Sequence, residues 1–192
     1  ITDKIFSFAK ELVGWIPGGL GHANIVASII FAGMSGSAAA DAGGLGTIEM
    51  EAMTKNGYDD DFSGAVTAAS SVIGPIFPPS IPLIIYGATA SVSVAKLFMG
   101  GVVPGLLMGV ALMVLVFLFA IKYKFERHPF RLAALVRQFF GSILSLITPL
   151  IILAGFTTGW FTPTEASSIA VAYSLIIALI VYRTMDWKTF KH

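Results

Sequence analysis

Residues Ile73 to Pro82 read I-G-P-I-F-P-P-S-I-P. Four prolines and a glycine stand in these ten residues, inside a run from Phe62 to Ala95 that has no charged side chain. A run that long and uncharged reads as a membrane segment. Proline removes a backbone donor and breaks a helix, and each unsatisfied backbone group in lipid costs several kcal/mol. A break placed there has to be sheltered by protein or line a polar site.

The rest of the composition agrees with a membrane protein. The chain is 56% hydrophobic and 12% charged, whereas a soluble domain is about one-quarter charged. No cysteine is present, which excludes a disulfide framework and thiol chemistry. No signal-peptide pattern opens the chain. Ile1 to Glu11 reads as mid-protein sequence, so a fragment or a processed chain is expected.

The charge-free runs are Leu12–Ala40, Phe62–Ala95, Leu97–Ile121, Gln138–Thr164 and Ala166–Tyr182. About 20 apolar residues cross the hydrocarbon core as a helix. Residues 97–121 fit one plain span, and 138–183 fit two more. Between them, Lys122, Lys124, Arg127, Arg131 and Arg137 face Glu126 alone. The excess of positive charge makes 122–137 a cytoplasmic basic connector, with a cytoplasmic tail at 184–192. Parity then puts Lys96 and Thr162 outside and Asp59–Asp61 inside, in a solvated turn. Lys96 and Arg183 read as interfacial side chains whose charged heads reach out to water. Residues 1–17, with Ile5, Phe8, Ala9, Leu12 and Val13 at helical spacing, read as an amphipathic helix on the membrane surface.

Residues 18–95 are unlike the plain spans. The arm Ala23–Met34 is too short to cross at 1.5 Å per residue. The turn S-G-S-A (Ser35–Ala38) follows, and then an arm to about Lys55 carrying Asp41, Glu49 and Glu51. A lipid-facing span does not tolerate those acids. The pattern predicts a re-entrant helical hairpin over 23–55 and a broken transmembrane helix over 61–95. Asn24 is expected to cap the first arm. Asp41 is expected to sit near the start of the second arm, stabilised by the helix dipole.

Both breaks expose chemistry. At the prolines, carbonyls near Ser71, Gly74, Pro75 and Pro78 lose their partners and carry partial negative charge. Ser80 is placed to cap a new half-helix, whose start carries partial positive charge. At the hairpin tip, the carbonyls of Ala32, Gly33 and Met34 end one arm. Ser35 and Ser37 add hydroxyl oxygens, and Gly36 admits close backbone approach. Paired discontinuous helices of this kind bind coupling ions and anionic substrates in secondary transporters. Four prolines exceed what a simple kink requires.

Four motifs carry a family resemblance: G-M-S-G-S-A-A-A-D (Gly33–Asp41), N-G-Y-D (Asn56–Asp59), G-P-I-F-P-P-S-I-P-L-I-I-Y-G (Gly74–Gly87) and G-W-F-T-P-T-E-A (Gly159–Ala166). Together, in this order, they resemble the large membrane subunit of tripartite ATP-independent periplasmic (TRAP) transporters. The resemblance implies an all-α polytopic membrane protein with inverted repeats, working as an elevator-type, sodium-coupled importer of organic acid anions. C4-dicarboxylates or sugar acids are the expected cargo, Na+ the coupling ion, and no organic cofactor is implied. The implied partners are a small membrane subunit, a periplasmic substrate-binding protein and the remainder of the large subunit. The implied location is the bacterial cytoplasmic (inner) membrane. The family builds its first sodium site from the hairpin and the broken helix. On this chain that maps to Ser35, Gly36, Ser37, Ala38, Pro75, Ile76, Pro78 and Ser80, with Ser37, Pro79 and Ser80 facing substrate. The family's second, inverted half is expected to lie beyond the start present here.

T-P-T-E (Thr162–Glu165) reads as a capping box with proline at the first helical position. Two other classes compete with transport. G-M-S-G matches the G-x-S-G pattern of intramembrane serine proteases, which need a histidine beside the serine. The histidines here are His22, His128 and His192, all expected at membrane edges or in tails. The other rival is a channel or scaffold subunit without coupled transport. The non-enzymatic reading is the expected one. The bilayer is the surrounding partner, with no nucleic acid.

Overall fold

The structure is a computed structural model and describes residues 2–125, 129–157 and 161–181. Helix α1 (Thr2–Val13) leads to α2 (Gly19–Ser35). The chain reverses through α3 (Ala38–Ala40), a π-helical turn (Asp41–Leu45) and α4 (Gly46–Lys55). Then come α5 (Asp60–Ser71), α6 (Ile81–Thr89), α7 (Val94–Tyr123), α8 (Leu132–Thr157) and α9 (Pro163–Ile176), which ends in a second π-helical turn (Ile177–Val181). The core gathers α1, both hairpin arms, α5 and one side of α7, around Ile5, Leu20, Ile25, Leu45, Met53 and Ile73.

The chain reverses at Gly36–Ser37 between two helical arms, and it is interrupted between Ser71 and Ile81, where α5 ends and α6 begins. The first arm is longer than expected, beginning at Gly19 rather than Ala23. Its 17 residues make about 25 Å of helix. The extension survives its glycines because space is short there: a Cβ on Gly21 would lie 2.8 Å from Val116 Cγ1. Asn24 is therefore no cap. It stands inside α2, fully buried.

Helix α1 also differs from the expectation. Its apolar face, Ile5, Phe6 and Ala9, is buried. That face packs on α2 and α8 rather than on lipid, and Ser142 Oγ donates to the Lys4 carbonyl at 2.9 Å. The basic connector is shorter than 122–137, because α7 runs on to Tyr123 and α8 already starts at Leu132. Glu126, Arg127, His128 and the expected tail 184–192 lie outside the described residues.

Among the described residues, two helices are long and apolar enough to cross a membrane, Val94–Tyr123 and Leu132–Gly155. Helix α7 has two different faces. Val103, Leu107, Val110, Val114, Leu118 and Ile121 are exposed. Gly101, Gly105 and Gly109 are buried at every fourth position. Small residues at that spacing let backbones approach closely. A Cβ on Gly101 would collide with the Ile76 carbonyl, and one on Gly105 would stand 3.0 Å from Phe77. One on Gly109 would stand 2.6 Å from Ile29. Helix α7 thus braces both the proline break and the hairpin.

Candidate ion-binding site

The two breaks meet. Gly36 ends α2 in the left-handed region, at φ 61 and ψ 18. Its N–H donates to the Ala32 carbonyl at 3.2 Å, and its own carbonyl accepts the Ile81 N–H at 3.3 Å. A Cβ on Gly36 would run into the Pro79 carbonyl. From the other side, a Cβ on Gly74 would lie 3.2 Å from the Ser37 carbonyl carbon and 3.4 Å from the Ala38 nitrogen. The hairpin tip and the proline break are in backbone contact on both flanks.

The tip serines keep loose bonds. Ser37 caps the second arm, its Oγ accepting from the Ala40 N–H at 3.4 Å. Ser35 Oγ accepts the Ser37 N–H at 3.5 Å. Both distances lie beyond the usual 2.7–3.2 Å of a hydrogen bond, so either hydroxyl can turn to another partner at small cost. Ser80 is different. It is fully buried, donates to the Pro75 carbonyl at 2.5 Å and accepts the Leu83 N–H at 3.2 Å. It caps α6 as the sequence predicts, with Pro82 in the first turn.

Several expected free carbonyls are occupied. Ala32 holds Gly36, Ser71 holds the Gly74 N–H at 3.1 Å, and Pro75 holds Ser80. Turn-type bonds within each break recover these acceptors, which loop composition alone does not reveal. The Ile76 carbonyl turns to Gly101 of α7 rather than to the tip. Pro78 and Pro79, joined by a cis peptide bond, are buried. The predicted residues that the fold brings together are therefore Gly36, Ser37, Ala38, Pro79 and Ser80, with Ser35 and Pro75 adjoining. Thr162 and Glu165 form the expected capping box at the start of α9, apart from this cluster.

A buried polar network ties the hairpin to the first half of the broken helix. Asn24 Nδ2 donates to Thr67 Oγ1 at 2.8 Å, and Ser70 Oγ donates to Asn24 Oδ1 at 2.7 Å. Ser28 Oγ donates to Ser70 Oγ at 3.1 Å. Each such bond contributes about 0.5–1.5 kcal/mol net, and a deserted buried partner costs about 1–3 kcal/mol. The two interrupted elements are thereby held as one unit.

A cavity of about 510 Å³ opens beside the tip, lined by Met34, Ser35, Ile81, Thr148, Ile152 and Ser174 among others. Thr148 Oγ1 is buried there without a hydrogen-bond partner. Sequence reasoning missed Thr148 and Ser174. The available signal was a hydroxyl next to Pro149 in a charge-free run. His22, the described histidine, points its Nε2 at the Pro17 carbonyl, 3.0 Å away. It stands thirteen residues before Ser35 on the same helix, about 20 Å along the axis, so it cannot serve that serine as a base.

Comparison with known proteins matches the sequence of this chain to a family. The family described as "Tripartite ATP-independent periplasmic transporter, DctM component" matches residues 1–192. The chain belongs to the DctM family. Among DctM relatives, the sialic acid TRAP transporter permease protein SiaT of Haemophilus influenzae is 50% identical over 98% of this chain and 31% of its own length. The sialic acid large permease SiaM of Vibrio cholerae is 48% identical over 99% of this chain and 45% of its own length. The C4-dicarboxylate large permease DctM of the same organism is 39% identical over 96% and 41%. The chain thus spans a third to under a half of these permeases. The family is the one that the four motifs implied.

Proposed function

We propose that this chain forms part of the membrane subunit of a sodium-coupled importer of organic acid anions. The observation that carries the reading is the bond between the Ile81 amide and the Gly36 carbonyl, which joins two helix breaks. Four helix ends then converge. The ends of α2 and α5 bring partial negative charge, and the starts of the second arm and α6 bring partial positive charge. Sodium, a hard cation that takes oxygen donors, binds between the tip and the proline break. Carbonyls near Gly36 and Pro79 serve it, with the hydroxyls of Ser35 and Ser37. The bound charge offsets the converging carbonyls and holds both half-helix starts toward a carboxylate.

The hairpin is re-entrant in this reading, with its tip near the bilayer midplane in the inner membrane. Hairpin and broken helix travel together as the elevator unit, held by the Asn24–Thr67–Ser70 network. The cavity beside Ser35 receives the anion, with Thr148 and Ser174 as hydroxyl donors. The cargo is a sugar acid or a C4-dicarboxylate, as the relatives' names suggest: sialic acid, 2,3-diketo-L-gulonate and C4-dicarboxylate. The remainder of the large subunit supplies the other side of the pocket. A small membrane subunit and a periplasmic binding protein complete the transporter.

The test is uptake by the complete reconstituted transporter with sodium replaced by choline. The reading expects uptake to stop. Uptake at full rate without sodium rejects the coupling.

A further inference from the structure

The motif Asn56–Asp59 takes no part in the ion site. It turns α4 into α5. Asn56 Nδ2 donates to the Ala52 carbonyl at 2.7 Å, and Gly57 reverses the chain at φ 81. The Tyr58 N–H returns to the Met53 carbonyl at 3.1 Å. Asp59 Oδ1 then caps α5, accepting the Asp61 and Phe62 amides at 2.9 and 3.3 Å. Beside this turn, α7 ends at Lys124, whose left-handed backbone at φ 55 sends the chain back. Phe125 thereby stacks on the buried Tyr58 ring, with centroids 4.3 Å apart.

These two reversals border a cavity of about 820 Å³, a size common among small-ligand sites. Its charged lining is Asp59, Asp61 and Lys124, and Phe62, Phe119 and Tyr123 add aromatic walls. The charges are uncommitted. Asp59 keeps its second oxygen, Oδ2, after capping α5. Asp61 and Lys124 are exposed, and among the described residues neither has an ion-pair partner.

The cavity stands at a membrane boundary. Helix α7 holds Lys96 near its start and Lys122 near its end, with no charge between them. At 1.5 Å per residue these lysines stand about 39 Å apart, more than the ~30 Å of the hydrocarbon core. The end of α7 therefore lies in the headgroup layer, where tyrosine and lysine are favoured. Leu115, Phe119 and Tyr123 follow one another at four-residue spacing and are exposed. They form an apolar strip that runs from the cavity toward the middle of the bilayer.

We propose that this cavity binds the headgroup of an ethanolamine phospholipid. Asp59 and Asp61 accept from its ammonium, Lys124 donates to its phosphate, and an acyl chain lies along the strip below. Hydrogen bonds between ionised partners are the strong ones. A bare cation would meet Lys124, and a bare anion would meet two carboxylates. A headgroup carrying both charges satisfies all three side chains. A choline headgroup has the same charges but no N–H to give the carboxylates. The site is separate from the hairpin tip and stands whether or not sodium binds there.

Native mass spectrometry of the complete permease tests it, with phosphatidylethanolamine, phosphatidylcholine and phosphatidylglycerol of identical chains as probes. The wild type is expected to retain one more phosphatidylethanolamine than it retains of either other lipid. Asp61→Asn and Lys124→Gln should each lose that lipid, and both side chains are exposed, so the fold is spared. Asp60→Asn removes the same charge outside the cavity and should keep it. Equal retention of the three lipids overturns the proposal. So does a retention pattern that Asp61→Asn or Lys124→Gln leaves unchanged, or that Asp60→Asn alters as much.

Discussion

The Ile81 amide donates to the Gly36 carbonyl across 3.3 Å, linking residues 45 positions apart at the ends of two interrupted helices. The contact exists because Gly36 has no side chain and adopts a left-handed backbone. Alanine at that position would suffer twice. The left-handed conformation costs a residue with a Cβ about 1–2 kcal/mol, and the new methyl would meet the Pro79 carbonyl. Gly36→Ala is expected to lower the melting temperature of the complete permease and to raise the sodium concentration needed for uptake. Wild-type melting and sodium dependence together would show that the tip does not rest on Pro79.

Asn24 offers a sharper choice. At a helix cap, serine replaces asparagine almost silently. In the buried network it is too short to reach both Thr67 and Ser70, and an abandoned buried partner costs about 1–3 kcal/mol. Asn24→Ser should therefore destabilise the permease measurably in a thermal melt. A neutral outcome would return Asn24 to a capping role.

Thr162 and Glu165 cap helix α9. Thr162 Oγ1 accepts the Glu165 N–H at 3.4 Å, while Glu165 accepts the Thr162 N–H at 2.8 Å. Thr162→Ala is expected to cost about 0.5–2 kcal/mol of stability and to leave the half-saturation for sodium unchanged. A changed half-saturation would connect α9 to the ion site.

Orientation can be read by labelling, because the chain has no cysteine. Pro129→Cys, in the exposed connector between α7 and α8, should resist an impermeant thiol reagent in intact cells. Lys96→Cys, exposed in the first turn of α7, should react. The opposite pattern would invert the topology.

How much of this was legible beforehand follows from which forces act locally. Prolines and glycines act on their own backbone, so the breaks at Gly36 and at Pro75–Pro82 were readable, as were the caps at Ser80 and Thr162. Partners distant in sequence were not. Asn24 looks like a cap until Thr67, 43 residues on, is folded beside it. The carbonyls of Ser71 and Pro75 look free until local turns take them up. Helix α1 looks like a lipid-surface helix until α2 and α8 cover its apolar side. The bracing of the break by Gly101, Gly105 and Gly109 was in the sequence as a four-residue glycine period. Its meaning depends on Ile76, Phe77 and Ile29 lying opposite, which only the fold reveals. The cavity residue Thr148 belongs to the same class.

The central claim is that sodium sits where the hairpin tip meets the proline break. The most direct measurement is uptake by the reconstituted complete transporter across a sodium titration, comparing wild type with Ser37→Ala and Ser35→Ala. One lost oxygen ligand, at the scale of a hydrogen bond to a charged group, is worth about 1–2 kcal/mol, or about a 5- to 30-fold rise in half-saturation. The account predicts that rise for Ser37→Ala, with uptake restored at high sodium and folding little changed because the 3.4 Å cap is weak. Unchanged half-saturation in both variants would contradict the part assigned to the serine hydroxyls at the tip.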